Sequence, residues 1–217
     1  MKLTHCKLDK KLQIRLLEFF VTQVTARAAA DLLQIQPNSA ALFYRKVRQV
    51  INWHLQQQAT EQFDGQVELD ESYFGGVRKR KMGRATANKV IVFGILKRGG
   101  KVYTLVVENR RTQSLLPVIK EKIKPDSIVY TDSFRSYDVL DISSFHHERI
   151  NHELLFAEGR NHINGIENFW SQAKRTLRRY NGIDRKSFPL FLKECEFRFN
   201  YGTPSEQLKT LRLWCDI

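Results

Sequence analysis

The sequence predicts an α/β protein: a mixed sheet flanked by helices, preceded by a small all-α, helix-turn-helix-like region. Three observations carry this. Apolar residues recur at helical spacing through the first 60 positions, β-branched and aromatic runs of strand length follow, and helical spacing returns after about residue 160. The change of pattern falls in the polar stretch ATEQFDGQ, near Gly65, and divides the chain into 1–62 and 63–217.

Each element follows in order. Leu12, Leu16, Phe19, Phe20 and Val24 form one apolar stripe of a first helix. Thr25 is placed to cap a second short helix, ARAAADLL. QIQPNSA is a turn with Pro37 and a capping Asn38 or Ser39, and AALFYRKVRQVINWHLQQQ is a third, basic helix. Two short helices, a tight turn and a basic third helix match the helix-turn-helix plan, which puts Tyr44, Arg45, Arg48 and Gln49 on its outward side. QVELDESYF, VIVFGILKR, VYTLVVEN and SIVYT read as four strands, with Gly99-Gly100 turning the second into the third. The first three are expected to be antiparallel. TQSLLPVIKEKI is a helix before the fourth strand, and further helices are expected at about 161–180 and 186–200. The sequence carries no internal repeat.

Hydrophobic content of 42% and charged content of 27% are ordinary for a folded protein. The net charge of +13 and isoelectric point of about 9.8 are not. They point to a polyanionic partner, and because basic residues recur along the whole chain, to nucleic acid before membrane. Arg45 and Arg48 are then candidate DNA contacts. Cys6, Cys195 and Cys215 are odd in number and widely spaced, so reduced thiols are expected in place of a disulfide framework or zinc finger. MKLTHCKLDKK lacks the apolar core of a signal peptide, and no apolar run approaches the ~20 residues of a membrane span. A cytoplasmic location is the expectation. No G-x-x-x-x-G-K loop is present, which argues against a nucleotide-powered motor.

Three acids stand in distinctive settings. Asp70 lies in the first strand, Asp132 directly follows the fourth, and Glu167 sits in the helical stretch HINGIENFWSQAKR. An acid on a sheet face is costly unless it is paired or bound to a cation. Phosphodiester chemistry gives a reason for such a group: two Mg²⁺ ions can activate the attacking oxygen and stabilise the leaving one, and Mg²⁺ takes carboxylate oxygens. Two aspartates on neighbouring strands and a glutamate on a facing helix would supply that cage. Among 23 acids, spacing alone is weak support.

The local contexts carry more. ELDESYFGG (68–76), YTDSFRSY (130–137) and HINGIENFWSQAKR (162–175) resemble the catalytic domain of bacterial insertion-sequence DDE transposases, in the Merlin-related group with an ISXO-like domain. The resemblance spans residues 66–200 and implies an RNase H-like fold, DNA as substrate and two Mg²⁺ or Mn²⁺ ions. By position it implies Asp70, Asp132 and Glu167 as catalytic metal ligands and Lys174 as a DNA contact near the scissile phosphate. Many relatives have Asn at the third acid; this chain has Glu. Many also carry an N-terminal zinc ribbon, which this chain lacks, leaving end recognition to the helical N-terminal region or to another surface. The implied activity is binding of terminal inverted repeats, 3′-end cleavage and strand transfer, in a homodimer or larger assembly, nucleoid-associated when bound to DNA. The alternatives are a structure-specific nuclease on the same fold and a DNA-binding protein derived from a transposase.

Arg78, Lys79, Arg80 and Lys81 follow the Asp70 block and would hold phosphates, each contact releasing ~1 counterion. Lys174, Arg175 and Arg178 continue the Glu167 helix and would track a DNA backbone, with favouring the helix C-terminus as the other role for the later ones. His162 and Asn164 precede Glu167 and would orient substrate or a metal-bound water, with capping as the other role for Asn164. Glu68 is the rival to Asp70 on the same strand face, Glu71 points to the other, and His146, His147 and His152 read as loop histidines. Phe169 and Trp170 read as core packing.

Overall fold

A computed structural model describes residues 2–4, 6–75, 89–132, 145–150, 163–180 and 182–217. The chain forms two compact units, residues 59–185 and residues 1–58 with 186–217.

The first unit is built on a five-stranded mixed sheet. Its strands are β1 (Gln66–Phe74), β2 (Val90–Lys97), β3 (Val102–Val107), β4 (Ile128–Asp132) and β5 (His146–Ile150), in spatial order β3-β2-β1-β4-β5. β1, β2 and β3 are antiparallel, as their sequence predicts. Gly99, at φ +69°, makes the β2–β3 turn, where the Gly100 N–H donates to the Lys97 carbonyl at 2.8 Å. β4 runs parallel to β1, and β5 parallel to β4. Helices α4 (Thr112–Lys122) and α5 (Asn164–Leu177) flank this sheet, giving a mixed α/β architecture.

The two-residue period of β1 divides its side chains between the faces. Val67 and Leu69 join Phe93, Ile95, Val129 and the α4 residues Leu115 and Ile119 in one apolar core. Glu68 and Asp70 project to the opposite face, where both hydrogen-bond α5. β5 differs from expectation. His146 and His147 lie in a strand, and Nε2 of His147 sits 2.8 Å from the Thr131 hydroxyl on β4. HHERI has no apolar alternation to announce a strand; pairing with β4 makes it one.

The second unit is all-helical: α1 (Lys10–Val21), α2 (Ala26–Leu32), α3 (Pro37–Gln58), α6 (Phe188–Asn200) and α7 (Pro204–Cys215). Thr25 caps α2 through the Ala28 N–H, as read from the sequence. Leu16, Leu17, Phe20, Phe43, Tyr44, Val47 and Ile51 share a core with Phe197, Leu211 and Cys215. The two C-terminal helices therefore belong with the first 58 residues, a correction to the division 1–62 and 63–217. α7 was also unforeseen, although Thr203, Pro204 and Glu206 form a capping box with proline at the first turn.

Arg48 is corrected as well. It is buried in the helical unit, 2.6 Å from the Glu194 carboxylate, with its guanidinium 3.9 Å from the Phe191 ring centroid. Arg198 holds the other Glu194 oxygen at 2.7 Å and donates to the Phe20 and Val21 carbonyls at the end of α1. Burial raises the Glu194 pKa, but Arg198 and Arg48 together outweigh it and hold the carboxyl below its ordinary range. Tyr44 is likewise buried, its hydroxyl donating to the Val24 carbonyl. Neither residue is available to DNA; Arg45, one position away on α3, is exposed. Among the described residues, no helix is long and apolar enough to cross a membrane.

Candidate active site

The site forms where the centre of β1, the end of β4 and the first turns of α5 meet. Asp70 stands in mid-strand. The β1–β4 pairing matches Val67 with Val129 and Glu68 with Tyr130, and the same offset carried two residues on sets Asp132 level with Asp70. Glu167 is in the first turn of α5, exposed, three residues before Trp170, which reaches Asp70. Asp132 and Glu167, from distant parts of the chain, thus lie near enough for their charges to act on Asp70.

Each Asp70 oxygen takes one donor. Oδ1 accepts from the Glu71 N–H at 2.8 Å and Oδ2 from the Trp170 indole Nε1–H at 3.0 Å. Neither donor is a cation. Burial pushes the Asp70 carboxyl up from 3.8 to about 6; the Asp132 and Glu167 charges push the same way, against the lowering effect of the two hydrogen bonds. Among the described residues, no three acids or histidines converge closely enough to make a finished metal cage. What is present is a set of carboxylates whose mutual repulsion a cation would relieve. All-oxygen donors suit a hard divalent ion such as Mg²⁺ or Mn²⁺.

Glu68, the rival ligand, has another task. It is 1% exposed. Its Oε1 accepts from Arg98 Nε at 2.9 Å, and its Oε2 accepts from the Ile166 N–H at 2.9 Å. A buried carboxylate from the sheet therefore satisfies an open donor in the first turn of α5, and its charge favours that end of the helix dipole. Asn164 is the first residue of α5 and exposed; the helix has no side-chain cap of its own. Gly165 allows the close approach, since a Cβ there would fall 2.6 Å from Leu96 Cδ2 and 2.9 Å from Glu68 Oε2.

Lys174 projects from the same helix two turns beyond Glu167, with its ammonium 5.9 Å from the Phe74 ring centroid. Arg175 and Arg178 are also exposed along α5. Arg78, Lys79, Arg80, Lys81 and His162 lie outside the described residues. The residue that the sequence reading undervalued is Trp170. Its ring does pack, against Phe74 and Phe169, but its N–H is spent on Asp70. A buried indole needs an acceptor, and the spacing of three from Glu167 was the available signal.

Residues 62–200 match the model of the family described as the ISXO2-like transposase domain. An uncharacterized transposase-like protein of Haemophilus influenzae is 60% identical over 112 residues, covering 52% of this chain and 91% of that one. An uncharacterized protein in transposable element ISH50 of Halobacterium salinarum is 27% identical over 168 residues, 68% of this chain; the match spans 57% of that relative's length. Similar solved structures include the Mos1 strand transfer complex, at 13% identity and TM-score 0.43 over 98% of this chain and 77% of that one. A pre-cleavage Mos1 transpososome compares at 10% identity and TM-score 0.39, over 98% and 78%.

Proposed function

Because the chain belongs to the ISXO2-like transposase family, we propose that it acts as a metal-dependent DNA transposase that cleaves element ends and transfers them into target DNA. What supports this reading is the Asp70 carboxyl, raised to about 6 first by burial and further by the charges of Asp132 and Glu167.

These three carboxylates are the residues that would hold divalent cations. Bound there, the cations would lower the pKa of an attacking water or hydroxyl and neutralise charge building on the phosphate. The protein's own groups do the rest. Asp70 is held at the centre by the Glu71 and Trp170 N–H donors. Glu167 approaches from a helix anchored to the sheet through Glu68. Lys174, Arg175 and Arg178, exposed along that helix, would hold the DNA backbone as cations. Arg45 and Gln49 of α3 are the better candidates for reading the element's inverted repeats, Arg48 and Tyr44 being buried.

The reaction runs in two substitutions at phosphorus. Water first attacks the phosphorus at the element boundary: its oxygen stays on the flanking DNA as part of a 5′-phosphate, and the element's 3′-oxygen leaves as a free hydroxyl. That hydroxyl then attacks a target phosphodiester, one ester forming as another breaks, so ATP is not required. Two ends must be joined together, which requires a dimer or larger assembly.

The test is a strand-transfer assay with labelled element-end DNA, supercoiled target and Mg²⁺ or Mn²⁺, comparing wild type with Glu167→Gln. Wild type should join ends to target, and the variant should bind DNA with joining reduced at least about a hundredfold. Equal joining by both proteins would remove Glu167 from the site. Nicking without joining would favour a nuclease.

A further inference from the structure

Trp170 and Gly94 make a pair that packing alone does not explain. Gly94 sits in the middle of β2, directly opposite Asp70 in the β1–β2 register. Glycine in a strand interior weakens the strand and marks a place where something must come close. Here the visitor is an indole. A Cβ on Gly94 would lie 2.6 Å from Trp170 Cζ2 and 2.9 Å from Cη2. With that notch open, the ring lies down on the sheet between Phe74 and Phe169 and its N–H reaches Asp70 Oδ2 at 3.0 Å.

We propose that Trp170 is a positioning residue for Asp70, and that Gly94 is the notch that lets it act. The proposal rests on the reading of Asp70 as a cation ligand. Indole is a donor only, so it favours the ionised carboxylate and never competes with it for a cation. The Glu71 N–H takes one lone pair of Oδ1 and the indole one of Oδ2. One lone pair on each oxygen is left, in a fixed orientation, for a metal on either side. A packing role needs the ring but not its nitrogen; a positioning role needs both.

The experiment uses the full chain. It has three tryptophans, Trp53, Trp170 and Trp214, so three indole N–H signals are available to NMR, and Trp170→Phe assigns one by its loss. In wild type, Mg²⁺ should shift the Trp170 signal and leave the other two in place. Calorimetric titration of Trp170→Phe with Mg²⁺ should give a half-saturation about tenfold higher, the scale of one charge-assisted hydrogen bond. Its near-UV circular dichroism and metal-free melting should stay close to wild type. Gly94→Ala, which keeps the nitrogen but lifts the ring, should weaken Mg²⁺ binding similarly, and it decides the matter if Trp170→Phe loses its tertiary signal. Mg²⁺ binding that needs Asp70, as shown by its loss in Asp70→Asn, but that is unchanged in both the Trp170 and Gly94 variants, would overturn the positioning role and leave the proposed function standing. An equal Mg²⁺ response in wild type and Asp70→Asn would overturn the reading of Asp70 itself, and this proposal with it.

Discussion

Asp70 is a carboxylate kept where folding alone would not keep it. Its pKa is raised from 3.8 to about 6 in the folded chain, burial being the main cause. A group raised on folding contributes stability that is fully present below about pH 3.8 and is lost as pH rises through about 6. The difference is worth about 3 kcal/mol. Asp70→Asn removes the charge and keeps an oxygen for the indole. In EDTA at pH 7 the variant should therefore be the more stable protein, by up to about 3 kcal/mol. At pH 3.5 the two should agree. Denaturant melts at the two pH values check this, and a variant no more stable than wild type at pH 7 would mean that Asp70 is not strained in the metal-free fold. Arg45 and Arg48 teach the complementary lesson. Both are basic and adjacent but for two residues on one helix, yet one is exposed and the other is locked onto Glu194. Charge in a sequence does not say which side of a helix it will occupy.

At the scale of elements, α5 carries the site and is fastened to the sheet at its first turn. Ile166 N–H and Arg98 Nε share the Glu68 carboxylate, and Arg98 stacks 3.6 Å from the Tyr130 ring centroid on β4. One acid thus links β1, the end of β2, and α5. Glu68→Ala removes the acceptor for both donors and should destabilise the sheet unit by about 3 kcal/mol, measured by urea unfolding. Lost DNA joining at a temperature where the variant stays folded would follow from a shifted Glu167. A cost within about 0.5 kcal/mol would show that α5 is held by its apolar face alone. The strands and α4 were legible because their apolar residues follow a period of two or of 3.6. β5 was not, because an edge strand of His, Glu and Arg has no such period, and its pairing with β4 is a property of the partner.

For the whole molecule, the helical unit is closed by residues from the far end of the chain. Phe197, Leu211 and Cys215 complete the core of α1–α3, and Glu194 is the counter-charge of Arg48. Burial pushes the Cys195 and Cys215 thiols up, the latter to about 12, so both remain inert packing groups. A chain ending at residue 185 exposes that core and strips Arg48 of its Glu194 partner. Its helical unit should be unfolded at 25 °C, while residues 59–185 keep the sheet. Far-UV circular dichroism and amide exchange check this; a cooperative helical melt in the shortened chain would show that residues 1–58 fold by themselves. The family match runs from residue 62 to 200, through α6, although α6 packs in the helical unit. A match along the sequence and a folding unit are different divisions of the same chain.

By itself the sequence determined the element types wherever periodicity or capping chemistry is local, and the basic character. These depend on residues a few positions apart. Only the tertiary structure decided that Glu68 is an anchor, that Arg48 is a core cation, that Trp170 reaches Asp70 across Gly94, and that α6 and α7 complete the N-terminal helices. Each of those depends on which distant groups become neighbours. A carboxylate, a guanidinium or an indole takes its role from the partner that folding brings within hydrogen-bond reach, and in water the same group has none of them.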